Sequence, residues 1–259
     1  MVTYFPSSGE EGWPTAGVVA AATNAHIHYL KHNNAERFCR YHLPLRVLLL
    51  PGGGEISYQR FNQSDKLSFM KQDWKPGTMI YPLPAVLVSC GSTPEEYNIL
   101  TVAWTGTLCT NPPMCYISVR PERHSYEIIR RNMEFVINLT THDMARATDW
   151  CGVRSGRDYN KFQEMGLTPG PCTMVSAPLI EESPLCIECR VKEILSLGSH
   201  DMFIADVVNV HADDKYLNPD TGKFELSHSN PLVYVHGNYY DLGTHIGKFG
   251  WSVEKKKKS

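Results

Sequence analysis

The sequence predicts a mainly β protein, a barrel with short peripheral helices. Three observations lead there. From residue 70 onward, short apolar or alternating runs recur between turn-forming residues, the pattern of successive strands. The helical stretches among them are few and short, so no regular strand–helix alternation builds a doubly wound sheet. Residues 202–210 are apolar on both faces, as in a barrel strand buried on both sides.

The elements follow in chain order. Residues 85–90 form a short apolar run, and residues 114–119 follow a Pro-Pro turn. Pro121 suits the first position of a helix reaching about Met133, with Tyr126, Ile129 and Met133 at helical spacing. Residues 134–139 are compact and β-rich. Thr141 is placed to cap a helix over 142–150, and a short helix over 159–165 ends at Gly166. Along 185–192, Leu185, Ile187, Cys189 and Val191 share one face, with Cys186, Glu188, Arg190 and Lys192 opposite. Residues 202–210 and 232–236 complete the strands.

Residues 1–69 differ in character. Gly, Asn, His, Pro and Ser interrupt every apolar stretch, and neither a helix over 24–42 nor a strand over 46–50 finds a partner. The segment reads as an extension, poorly ordered or foreign to the natural protein, leaving 70–259 as the folded domain. A small helical cap or dimer arm is the competing reading.

Composition narrows the function. The 259 residues carry 42% hydrophobic and 20% charged side chains and a net charge of −2, which gives no electrostatic case for nucleic acid. No apolar run approaches the roughly 18 to 20 residues of a membrane helix, and the N-terminus lacks a secretory pattern. Eight scattered cysteines suit reduced thiols in a cytoplasm rather than a disulfide scaffold. The Lys255 to Lys258 run reads as a solvated tail.

No metal site is expected. His26, His28, His32, Cys39 and His42 match no standard zinc spacing. In Cys186-x-x-Cys189, strand geometry points the two thiols to opposite faces. Pro51-Gly-Gly-Gly54 lacks the spacing of a dinucleotide loop.

Two adjacent stretches carry the chemistry. Residues 98–113 are rich in Thr, low in charge and contain Gly106, which allows close backbone approach. They suit a neutral polar ligand edge; an edge strand with exposed threonines fits equally. Arg120-Pro-Glu-Arg-His-Ser125 gathers cations at a helix start, where they oppose the macrodipole at a cost of a few tenths to about 1 kcal/mol. An anion between the helix amides and the arginines resolves that conflict, and a phosphate is the natural candidate. The alternative is arginines that reach solvent or pair with Glu122 and Glu127.

From about residue 75 to 255 the chain resembles the flavin reductase-like, FMN-binding split β-barrel family, particularly its flavoredoxin-like branch. The resemblance rests on residues 98–113 and 120–126 and on Phe135-Val-Ile-Asn-Leu139. It continues through Ser155-Gly-Arg157 with Lys161-Phe162, and Gly198-Ser-His-Asp-Met-Phe-Ile204. It implies a split β-barrel with FMN at a homodimer interface. Thr101, Val102, Ala103, Trp104, Thr107 and Cys109 would lie along the flavin and ribityl chain, and Arg123 and Ser125 by the phosphate. His200 would face the ring or nicotinamide as the candidate catalytic residue, although many members read Gly-Asp-His where this chain has Gly198-Ser199-His200. Ser155, Gly156 and Lys161 would form a loop at the site mouth.

The implied activity is hydride transfer from NADH or NADPH to FMN and on to a small acceptor. The alternatives are a flavoredoxin-like carrier exchanging electrons with a protein redox partner, and a flavin-binding module without turnover.

Overall fold

A computed structural model describes residues 71–254. The expected extension over 1–69, with its helix, strand, histidines and glycine run, and the lysine tail lie outside the described residues.

In chain order the elements are β1 (Leu83–Pro84), β2 (Val86–Cys90), β3 (Asn98–Val102), β4 (Thr105–Thr110), β5 (Pro113–Val119), α1 (His124–Asn132) and β6 (Glu134–Asn138). They continue as α2 (Ala145–Val153), α3 (Lys161–Met165), β7 (Pro169–Gly170), β8 (Leu179–Ile180), β9 (Leu185–Ser196), β10 (Asp201–Ala212), β11 (Leu232–Val235) and β12 (Asn238–Asp241). Seven strands form one antiparallel sheet in the order β3-β2-β6-β9-β10-β5-β4.

That order forces the sheet to roll up. Six gaps of about 4.8 Å would separate the edges of a flat sheet by roughly 29 Å. Yet β3 and β4 are consecutive and joined only by Ala103 and Trp104, a link reaching about 11 Å at most. The Ser118 amide donates to the Trp104 carbonyl at 2.9 Å, tying the link to β5. The outcome is a barrel, as the alternation predicts.

Inside it, Val88, Val102, Ile117, Phe135 and Phe203 pack with Tyr126 and Ile129 of α1. Each such side chain contributes about 1.5 to 3 kcal/mol on burial. On the outer face of β2 and β3, Leu87 and Ile99 meet Cys151 of α2 and Phe162 of α3. Being covered on both faces explains why β2 reads as an apolar run, broken only by Ser89, whose hydroxyl donates to the Pro178 carbonyl.

Several boundaries move for local reasons. Pro121 does not begin α1. It occupies the second position of a turn closed by the Arg123 amide on the Arg120 carbonyl at 3.0 Å, a position proline favours, and α1 starts at His124. Thr141 makes no side-chain cap; residues 142–144 form a 3₁₀ turn before α2, and Thr141 bridges Pro231 instead. Asn160 caps α3 by accepting from the Gln163 amide, and Gly166 ends it at φ +63° as expected. Strand β10 is not buried on both faces: Phe203 and Ala205 point into the barrel, while Met202, Ile204 and Asp206 are only half covered. After β11, His236 and Gly237 both take positive φ, the turn that starts the unforeseen β12.

Strands β1, β11 and β12 form a small second sheet, whose Leu232 and Tyr234 pack against Ala103 and Trp104. Among the described residues no helix is long and apolar enough to cross a membrane.

Candidate functional site

The stretch at 98–113 divides into two unlike strands. All of β3 is buried, and it is an edge of the sheet. Thr101 donates its hydroxyl to the Thr148 carbonyl, Val102 lies in the barrel core and Ala103 packs with the small sheet. These three residues can therefore meet a ligand only through main-chain groups, of which an edge strand has spares. On β4, Thr107 is exposed and Cys109 half-buried, with Leu108 bulging between them. At Gly106 a Cβ would stand 3.2 Å from the Tyr116 ring, a tight contact within the chain.

The start of α1 is the second component. Arg123 is the extended N-cap residue and its side chain makes no cap hydrogen bond. The first-turn amides of His124 and Ser125 thus find no acceptor among the described residues, as at many anion sites. The Ser125 hydroxyl accepts from Asn98 Nδ2 at 2.7 Å, and both residues are buried. Gly156 lies against Asn98 so closely that a Cβ would fall 2.1 Å from Asn98 Oδ1. The site loop therefore requires glycine there.

The cations turn out to have partners of another kind. Arg123 Nη1 donates to the Gly152 carbonyl at 3.0 Å, and Lys161 Nζ to the Cys151 carbonyl at 2.7 Å. Both carbonyls belong to the last turn of α2, the negative end of that helix. The conflict of arginine with the α1 dipole is thus offset in part within the chain. No carboxylate among the described residues pairs with Arg123, Arg157 or Lys161. Lys161 is only 2% exposed, and burial first, with Arg123 opposing its proton further, pushes it down to about 8 while Cys151 acts in the other direction. His124 is pushed down by burial, then by Arg157 and Lys161.

Beside this cluster, the Trp104 and His200 ring centroids lie 4.3 Å apart, with the planes tilted by 44°. Ser199 Oγ lies 3.0 Å from His200 Nδ1. Burial and then Arg120 push His200 below its ordinary value, Arg123 adding to this and Glu122 opposing it. The structure thus gathers Trp104, Arg123, Ser125 and His200, with Arg120, Arg157, Lys161 and Asn98. It does not link Thr107 or Cys109 to them by any hydrogen bond or ring contact among the described residues. Sequence reasoning named Asn98 and Arg157 only within the stretches that carry the resemblance, and set Lys161 at the site mouth by that resemblance; it gave neither the Asn98–Ser125 bond nor the burial of Lys161.

Two other features lie apart. Cys172, Glu188 and His211 bring ligand atoms within 4.8 Å of one another, a group the sequence did not single out. Both Glu188 oxygens are already engaged: by the Thr173, Met174 and Val175 amides, Asn209 Nδ2 and His211 Nε2. Burial first, then Glu188, pushes the Cys172 thiol up to about 12. An apolar recess of about 200 Å³ lies by the small sheet, lined by Leu83, Ala85, Leu139, Leu232 and Leu242 among others. Cys186 and Cys189 do lie on opposite faces of β9, one bonded to the Ile180 carbonyl and one inside the barrel.

Known proteins share this arrangement of strands. The family model described as the flavin reductase like domain matches residues 77–243. An uncharacterized protein of Pyrococcus abyssi is 30% identical over 130 residues, covering 50% of this chain and 74% of its own. The structure of flavoredoxin from Desulfovibrio vulgaris (Miyazaki F) is 29% identical, covers 71% of this chain and 100% of its own, and superposes with a TM-score of 0.66. A split barrel domain from Shewanella frigidimarina, 24% identical, covers 66% of this chain and 86% of its own with a TM-score of 0.59. It shares the fold.

Proposed function

Since this chain belongs to the family of the flavin reductase like domain, we propose that it binds FMN and passes electrons from reduced nicotinamide through it. The observation that carries the reading is the open start of α1, ringed by Arg123, Arg157, Lys161 and His124 with no carboxylate pairing the three cations among the described residues. A phosphate monoester fits that donor set, because open amides and cations whose only partners are neutral carbonyls both favour an anion. The neighbouring Trp104 and His200 rings, tilted by 44° to each other, supply aromatic surface for the ring system.

When bound, the flavin supplies the redox chemistry, taking up a hydride equivalent and releasing electrons to an acceptor. The chain's own residues bind and orient. Arg123, Arg157 and the α1 amides hold the phosphate, and the β3 edge meets the polar side of the ring through main-chain groups. His200, pushed below its ordinary value by burial and the nearby arginines, offers a ring N–H as a donor.

The test is the visible spectrum of the full chain with FMN, recorded before and after adding NADH or NADPH without oxygen. Bound yellow flavin that bleaches on nicotinamide addition is the expected result. A chain that takes up no FMN overturns the reading. Flavin that binds but is reduced only by a partner reductase replaces nicotinamide turnover with flavoredoxin-like electron carriage.

A further inference from the structure

Two buried polar side chains outside the cation cluster have no place in the function proposed above. Tyr126, in the first turn of α1, donates its hydroxyl to Oδ2 of Asp201, the first residue of β10. Both residues are buried. Packing alone does not call for this bond. The Tyr126 ring meets Phe203 edge-on at 5.4 Å and would do so without a hydroxyl. A carboxylate removed from water is unfavourable unless a donor meets it, so an apolar residue at 201 would satisfy the core more simply.

What the bond does follow from is position. Asp201 comes directly after His200, and Tyr126 directly after Ser125. One hydrogen bond therefore joins the start of α1, with its cations, to the turn that carries His200. That turn has little else to hold it. Leu197, Gly198 and Ser199 are exposed, Gly198 sits at φ +101°, and closure rests on the Leu197 amide donating to the His200 carbonyl at 3.0 Å. Behind it, β10 is anchored by the pairing of Asp201 with Val119 on one side and Ser196 on the other. A side-chain bond at the first anchored residue adds a third tie next to the residue before it.

We propose that Tyr126 and Asp201 form a positioning pair that holds His200 against Trp104 and ties its placement to the anion site at the start of α1. The pair acts through His200. The functional weight of this inference rests on the proposed flavin reading, but its geometry is tested without any flavin.

The experiment follows the His200 ring signals by NMR in the full chain with labelled histidine, assigned through their loss in His200→Gln. In the parent, the close Trp104 ring shifts these signals upfield, and the titration midpoint lies below the ordinary value because of burial, Arg120 and Arg123, against Glu122. Tyr126→Phe keeps the ring and removes only the hydroxyl. It is expected to abolish the upfield shift and move the midpoint up toward about 6.5. Asp201→Ala removes the acceptor from the other side and is expected to act alike, which covers the case in which one variant fails to fold. Asp201→Asn retains an acceptor and is expected to keep the parental signals.

Parental His200 signals in a folded Tyr126→Phe or Asp201→Ala chain overturn the positioning pair, whatever the chain does with nicotinamide. Displaced signals in a chain that binds no FMN uphold the pair and overturn the flavin reading instead.

Discussion

Lys161 and Glu188 are both buried charges, and the contrast between them separates a candidate binding site from a piece of scaffold. Lys161 is 2% exposed, and its ammonium finds a single carbonyl, that of Cys151. Glu188 is 0% exposed, and five donors converge on its two oxygens. Their acidities differ accordingly. Burial dominates at Lys161 and pushes it down to about 8. At Glu188 burial is the largest single influence and opposes ionisation, yet the hydrogen bonds together outweigh it and bring the carboxyl down to about 2. Burial is common to both residues; what separates them is the hydrogen-bonding capacity left unmet.

Removing Glu188 should do the most damage. Glu188→Ala leaves three consecutive amides, an asparagine and a histidine without their acceptor, and should cost about 3 to 5 kcal/mol in a chemical denaturation curve. The pH dependence has a definite sign. A folded-state value below the ordinary 4.5 means that the contribution is full above about 4.5 and is lost as pH falls toward about 2. Glu188→Gln should lack that acid-limb slope. A Glu188→Ala chain as stable as its parent would erase the contrast.

Lys161→Met should act the opposite way. The cation lacks a carboxylate partner, so its loss should leave stability level or raised while FMN affinity falls by about 1 to 3 kcal/mol in a flavin fluorescence titration. A lysine lowered to about 8 in the fold binds fewer protons than the unfolded chain up to the ordinary 10.5. Parental stability should therefore rise between about pH 8 and 10.5, a rise that Lys161→Met should not show. Arg123→Ala should weaken FMN by about 1 to 3 kcal/mol for one lost charge-assisted contact; unchanged affinity would show that the phosphate lies elsewhere. The smallest effect belongs to Asn160→Ala, which removes the cap of the helix presenting Lys161 and should lower stability by about 1 kcal/mol on thermal unfolding.

The strands were largely legible because their signals are local. The alternation along β9 and the run of β2 come from neighbours two residues apart, and Gly166 marks a helix end by its own backbone freedom. The segment 98–113 was harder. Its threonines look alike in sequence, but Thr101 is a core residue bonded to Thr148, and Thr107 sits exposed on the opposite edge of the sheet. Pro121 misled for a related reason, since proline serves the second position of a turn as well as the first of a helix.

The six-residue run from Arg120 to Ser125 was the feature of the site that sequence alone could read. Cations beside a helix start are chemically conspicuous wherever the chain goes. What those cations meet was decided only by the tertiary structure. Arg123 reaches Gly152, 29 positions on, Asn98 reaches Ser125 across 27, and Tyr126 meets Asp201 across 75. Propensity and periodicity act over a few residues and fix where strands and turns form. The partners of a buried charge depend on which strands become neighbours when the sheet closes, and that closure belongs to the whole barrel.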